Sequence, residues 1–276
     1  MTTAILGPGA VGGALAVRIA MAGERVVCVA RPDTAAAIAH DGLTLITERG
    51  ELQSSLEAHD QLEERVDLLI VAVKATGLDD AISRIHAEPG LVLPLLNGLE
   101  HMAALRATFD TVVAATIGQF EAHRESATRV VQLTPGLVTV AAPEAPVQLE
   151  RADIATRYGG TEKDVLWEKL ARQAPIAVIT SATRKTLGEL RSDPRLRLAV
   201  EEACAVGRAD GSHTTFAEQW KVIESLPDWS TSSTARDVAA GRPSELDAIA
   251  GAVVRAGQRL DVPTPTLEEL IAACRA

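Results

Sequence analysis

Aromatic residues are scarce in this chain. Three Trp, three Phe and one Tyr, Tyr158, make up 3% of 276 residues, too few to build the stacking platforms that grip single-stranded nucleic acid or sugars. Basic charge is also in deficit. Against 27 Lys and Arg stand 37 Asp and Glu, a formal net charge of -10, which repels phosphate backbones and anionic lipid. Neither nucleic acid nor a membrane is an expected partner. Cysteine is limited to Cys28, Cys204 and Cys274, odd in number and widely spaced, with no CxxC pair. The pattern argues for a reducing compartment, and no metal site is expected. No apolar run approaches the length of a bilayer span and the chain enters a strand-like segment at once, so a cytoplasmic protein is expected.

What is present is ordinary globular composition, 47% hydrophobic and 23% charged, in a chain long enough to favour two packed domains over one. The first half alternates short β-rich apolar runs (Ala4 to Leu6, Arg25 to Ala30, Leu68 to Val73, Leu91 to Leu95, Thr111 to Thr116) with helix-sized pieces such as Ala10 to Ala22 and Leu78 to His86. Repeated βαβ units of this kind predict a Rossmann-type, doubly wound α/β domain over residues 1–160. Arg129 to Leu133 and Leu137 to Ala141 flank Thr134-Pro135-Gly136 and read as a hairpin closing the sheet edge. From Thr161 the β signal disappears, and residues 161–276 read as an all-helical second domain. Its helices are expected at Glu162 to Arg184, Pro194 to Asp210, Thr215 to Ser225, Ser244 to Arg259 and Pro265 to Ala273, with Trp229 to Thr234 as a solvated loop.

Gly7-Pro8-Gly9-Ala10-Val11-Gly12 follows the first strand and opens the first helix, the context that a GxGxxG dinucleotide fingerprint requires. Gly7 permits the tight turn, Gly9 admits a pyrophosphate, Gly12 lets helix and strand pack closely, and the phosphates rest on the helix N-terminus. The second strand ends in Arg31 where an NAD-binding chain carries an acid. A guanidinium suits a 2′-phosphate, which favours NADP, although Asp33 lies two residues on and a surface arginine is a common loop residue. Lys74 and Asn97 each end a later strand at the edge that faces ligand in such sheets, and each equally suits a turn or capping role. In the second half, Lys169 stands beside an apolar face made by Leu166, Leu170 and Ala174, and by composition alone it reads as a surface lysine.

The order and spacing of these pieces resemble the ketopantoate reductase (2-dehydropantoate 2-reductase) family. The shared features are the N-terminal GPGAVG, Arg31, Val73-Lys74-Ala75, Asn97-Gly98, the run Leu166-Trp167-Glu168-Lys169-Leu170, the Ser232-Ser233 pair, and Ser244-Glu245-Leu246-Asp247 with Gly251. The resemblance implies NADP-dependent reduction of a 2-oxo acid, with 2-dehydropantoate as the first candidate. It places Lys169 at the catalytic lysine, Glu245 at the substrate-binding glutamate, Ser233 at a serine that contacts substrate, and Asn97 between substrate and cofactor. Where the family carries asparagines one and two turns after the lysine, this chain has Gln173 and Ala177, with Pro175 between them. Gln173 keeps an amide for substrate on a longer stem; Ala177 keeps none. Pro175 removes an intrahelical bond to Ala171, and the stretch from Pro143 to Tyr158 is short beside the helix and strand of relatives.

The chemistry agrees. Hydride attack on a ketone builds negative charge on oxygen, which a positioned ammonium stabilises and then protonates. The alternatives are a reductase of the same fold acting on another 2-oxo acid or carbonyl, and a silent NADPH-sensing protein, which needs neither Lys169 nor Glu245. A homodimer through the aliphatic C-terminal helices is a further expectation.

Overall fold

The computed structural model describes residues 1–144 and 146–274. The chain divides into two compact units, residues 1–96 with 101–160, and residues 97–100 with 161–276. The segment Asn97–Glu100 thus leaves the first half of the chain and groups with the helices that begin at Thr161.

The first unit begins β1 (Thr2–Leu6), α1 (Ala10–Met21), β2 (Arg25–Val29), α2 (Pro32–Asp41), β3 (Leu43–Thr47), β4 (Gly50–Ser54), β5 (Glu57–His59) and β6 (Leu68–Val71). It continues through α3 (Leu78–Ile82), β7 (Val92–Pro94), α4 (His101–Arg106), β8 (Ala115–Gly118), β9 (Ala122–Arg124), β10 (Arg129–Gln132), β11 (Leu137–Val140), α5 (Val147–Arg151) and β12 (Thr156–Tyr158). Five strands form a parallel sheet in the order β5-β2-β1-β6-β7. Its central strands β1, β2 and β6 are mostly apolar because both faces are covered, whereas the edge strand β5 is Glu-Ala-His with only Ala58 buried. Ile5, Cys28 and Ile70 turn to the α1 side with Leu15 and Ile19, whereas Leu6, Val29 and Val71 turn to the side of α3 and α4 with Leu78 and Leu105.

The proposed hairpin does not form. β10 pairs with β3 and β9, and β11 pairs with β8 and β12, in two separate small sheets. Both edges of each strand are therefore occupied. In the Thr134-Pro135-Gly136 link, Gln132 Nε2 donates to the carbonyls of Thr134 (2.9 Å) and Pro135 (3.1 Å). The strand read at Thr111 to Thr116 is displaced to β8, with only a bridge between Val112 and Val92 before it. The stretch from Pro143 to Tyr158 accommodates both α5 and β12 despite its length.

The second unit is helical among the described residues: α6 (Glu162–Thr183), α7 (Leu187–Leu190), α8 (Pro194–Ala209), α9 (Phe216–Ser225), α10 (Ser233–Ala239), α11 (Ala252–Leu260) and α12 (Pro265–Ala273). Capping boxes open α6 at Thr161–Asp164 and α9 at Thr215–Glu218, and Arg184, at φ 57°, ends α6. α6 runs unbroken through Pro175. Trp167, Leu170, Ala174 and Val178 on this helix pack with Leu196, Val200, Ile249, Val253 and Leu267 into one aliphatic core.

The supposed loop at Trp229 to Thr234 ends in a helix start, where the Ser232 hydroxyl accepts from the Ala235 N–H at 2.9 Å. The single helix expected over Ser244 to Arg259 contains a π turn at Asp247–Gly251, in which the Ala252 N–H reaches the Asp247 carbonyl. No described helix is long and apolar enough to cross a membrane.

Candidate active site

The glycine motif of the first unit has three distinct steric roles. Gly7 has φ 87°, a conformation that L-residues rarely adopt, and its N–H donates to the Val29 carbonyl at 3.0 Å. A Cβ on Gly12 would collide with the Gly7 carbonyl oxygen and lie 2.9 Å from Ile5 Cγ2. At Gly9, by contrast, a Cβ would meet nothing within 4 Å. Packing therefore accounts for Gly7 and Gly12 but not for Gly9. The open space lies at the start of α1, which has no side-chain cap. The N–H groups of Ala10, Val11 and Gly12 have no partner within the helix by geometry, and they suit an anionic phosphate. Pro8 is buried beneath the turn. These residues fit a dinucleotide.

Arg31 is exposed just beyond β2, at the N-cap of α2, with Pro32 in the first helical position. Lys74 is exposed beyond β6, and its carbonyl accepts from the Gly77 N–H at 2.9 Å in the 3-10 turn Ala75–Gly77. A turn role for the Lys74 backbone thus coexists with an outward side chain.

In the second unit, residues far apart in sequence form one polar chain. Lys169 Nζ donates to Asn97 Oδ1 at 2.8 Å, and Asn97 Nδ2 donates to Glu245 Oε2 at 3.0 Å. Gln173 Nε2, one turn after Lys169, donates to the same Asn97 oxygen at 3.0 Å. The single amide of Asn97 therefore links the ammonium to the carboxylate. Gln173 Oε1 is buried and meets no donor among the described residues. Glu245 is buried, while Lys169, Asn97 and Gln173 are partly so. Burial pushes the Lys169 pKa down to about 8; the nearby Arg172 charge adds to this and Glu245 opposes it.

Arg172 was not singled out by sequence, yet it is three residues from Lys169 on α6, the spacing that brings side chains to neighbouring positions. Its Nη1 donates to the Glu168 carbonyl and to Gln219 Oε1. Ser233 takes no part in the polar chain: it is exposed at the start of α10. Its neighbour Ser232 lies 2.9 Å from the Thr180 hydroxyl of α6. Ala177 has no exposed surface and packs in the aliphatic core, so the residue type there follows from packing.

Residues 3–145 match the family described as ketopantoate reductase PanE/ApbA, and residues 163–276 match its C-terminal part. A 2-dehydropantoate 2-reductase of Caulobacter vibrioides is 29% identical over 99% of this chain and 98% of its own length. A PanE/ApbA family ketopantoate reductase from Ralstonia eutropha superposes with a TM-score of 0.88 at 28% identity, covering 100% of this chain and 97% of that one. A D-mandelate dehydrogenase solved with NADH and anilino(oxo)acetate shares the fold at a TM-score of 0.89 with 19% identity, covering 100% of this chain and 97% of that chain. With both family regions matched in order across the chain, this protein belongs to the ketopantoate reductase family of oxidoreductases.

Proposed function

We propose that this protein reduces a 2-oxo acid to a 2-hydroxy acid with NADPH, and that 2-dehydropantoate is the substrate. The observation that carries the reading is the Lys169–Asn97–Glu245 hydrogen-bonded chain. Held at the GPGAVG turn, the cofactor would supply hydride to the carbonyl carbon. As the C=O π pair moves to oxygen, Lys169 Nζ would stabilise that charge and give it a proton. With its pKa near 8, Lys169 is charged at neutral pH yet acidic enough to donate. Asn97 orients it, and Glu245 supports its positive charge through the amide. A hydroxyl on the substrate would find acceptors in Glu245 and in Gln173 Oε1, which has no donor among the described residues. Ser233 is proposed as a further substrate contact on the resemblance alone.

Arg31 and Lys74 are the cofactor's proposed cationic contacts, at the ends of β2 and β6. Since a neighbour of the same fold was solved with NADH, fold alone does not choose between the two cofactors. Arg31 favours the 2′-phosphate. Arg31→Ala should weaken NADPH by about 1.5–3 kcal/mol, the scale of a hydrogen bond to a charged group, and leave NADH affinity nearly unchanged. Titration with both cofactors checks this; equal losses would remove Arg31 from the 2′-phosphate.

A second substrate reading, another 2-oxo acid on the same machinery, is favoured by Gln173, whose amide is already engaged by Asn97. A screen of NADPH oxidation across 2-oxo acids tests both. Highest kcat/KM with 2-dehydropantoate supports the first reading. No turnover of it beside clear turnover of another acid replaces it with the second, and no turnover of any acid would favour a sensor.

A further inference from the structure

We propose that Arg255 is a positioning residue for the reaction: by gripping Glu100 and Asp247 together, it fixes the Asn97–Glu100 segment against the π turn and so sets Asn97 between Lys169 and Glu245. The inference rests on the reading of Lys169 as the acid.

The grip on Glu100 is bidentate. Arg255 Nε and Nη2 donate to Glu100 Oε1 and Oε2, both at 2.7 Å, across 155 positions of sequence. The remaining nitrogen is used on the turn itself, with Nη1 donating to Asp247 Oδ1 at 3.1 Å. Nη2 also reaches the Asp247 carbonyl at 3.2 Å, the same oxygen that accepts the π bond from Ala252. One planar guanidinium therefore holds a loop carboxylate and the first residue of a π turn, a task for which the fork geometry of Arg is suited and a Lys point charge is not.

Both ends of this clamp lead into the polar chain. Asn97 is three residues before Glu100, and Glu245 is two before Asp247, with its carbonyl accepting from the Ile249 N–H at 2.9 Å. Between them the backbones close tightly. Gly98 has φ 88°, and a Cβ there would run into the Ala248 carbonyl of the π turn. Leu99 packs against the helical core. A surface ion pair by itself is worth about 0–1 kcal/mol, but here the pair joins the two segments that carry Asn97 and Glu245. Misplacing a catalytic group by 1 Å can cost roughly 100-fold in rate.

The test compares Arg255→Met, Arg255→Lys and Glu100→Gln with the parent enzyme in NADPH-dependent turnover of the best substrate from the screen. The expected result for Arg255→Met is a kcat lower by roughly 10- to 100-fold, a raised KM for the oxo acid, and unchanged NADPH affinity and melting temperature. Loosening the chain should also rehydrate Lys169, whose charge is influenced by Arg172 and Glu245, so the alkaline limb of kcat should move up from about pH 8. Arg255→Lys should recover only part of the rate. Glu100→Gln should show the same pattern more weakly, and it covers the case in which Arg255→Met does not fold. Kinetics within 2-fold of the parent (about 0.4 kcal/mol) for the folded variants would overturn the proposal. So would a kcat loss accompanied by lower NADPH affinity and melting temperature, with the limb unmoved. Lys169→Ala run in parallel separates the two readings, because full activity there defeats the acid assignment whatever Arg255 does.

Discussion

Lys169→Met should lower kcat by roughly 10²–10⁴, the usual contribution of a positioned proton donor, while NADPH affinity is retained and the folded state becomes more stable. The two effects have one origin. Burial and the neighbouring Arg172 bring the Lys169 pKa from 10.5 down to about 8, so the fold holds the ammonium less comfortably than the unfolded chain does. Between about pH 8 and pH 10.5 the unfolded form binds more protons than the folded one, and stability rises with pH through that window. Below pH 8 the full cost is present, on the order of 1–3 kcal/mol after allowance for partial exposure. Replacement by Met removes it, and the melting temperature at pH 7 should rise. In the parent enzyme the protonated form is the active one for reduction, so kcat should fall as pH climbs past about 8. Steady-state kinetics over pH 6–10, with melting curves of parent and variant, check all three consequences. Near-normal kcat would return Lys169 to the role of an ordinary helix lysine.

Lys169, Asn97 and Glu245 were each named from sequence, but the resemblance to a family carried those assignments. Helical periodicity alone placed Lys169 on a surface, because its partners are 72 and 76 positions away, at Asn97 and Glu245. The parallel sheet was legible for a different reason. Its central strands are buried on both faces, so β1, β2 and β6 read as apolar runs from Ala4, Val26 and Leu68 onward. β4, β5 and β9 are short, polar and largely exposed, and no local signal marks them. The failed hairpin shows the limit of turn chemistry: Thr134-Pro135-Gly136 does turn the chain, but long-range pairing decides which neighbours the flanking strands take. Ser232 and Ser233 could not be told apart by sequence, since only the cap geometry distinguishes the hydroxyl that turns inward from the exposed one. The π turn and the Arg255 clamp escape a periodicity reading altogether, because one inserts a residue into the helical repeat and the other joins distant segments.

Gly9→Ala should abolish tight NADPH binding without unfolding the first unit, and Gly12→Ala should do the reverse of that ordering by destabilising the fold first. At Gly9, φ is -81°, outside the left-handed region, and an added Cβ meets no protein atom within 4 Å. The methyl group would instead take the space into which the N–H groups of Ala10, Val11 and Gly12 point at the start of α1. Each hydrogen bond to a charged phosphate is worth about 1.5–3 kcal/mol. Loss of two at the lower figure weakens binding by roughly 100-fold, with the melting temperature of the free protein unchanged. At Gly12 the same methyl group meets the Gly7 carbonyl and the Ile5 side chain. Overpacking of that kind costs about 1–3 kcal/mol and should appear as an earlier melting transition before any cofactor is added. Calorimetric titration with NADPH, beside thermal melts of both variants, distinguishes the two glycines. Parent-like affinity in Gly9→Ala would move the phosphates away from this turn, and a melting loss equal to that of Gly12→Ala would mean that Gly9 is retained for packing after all.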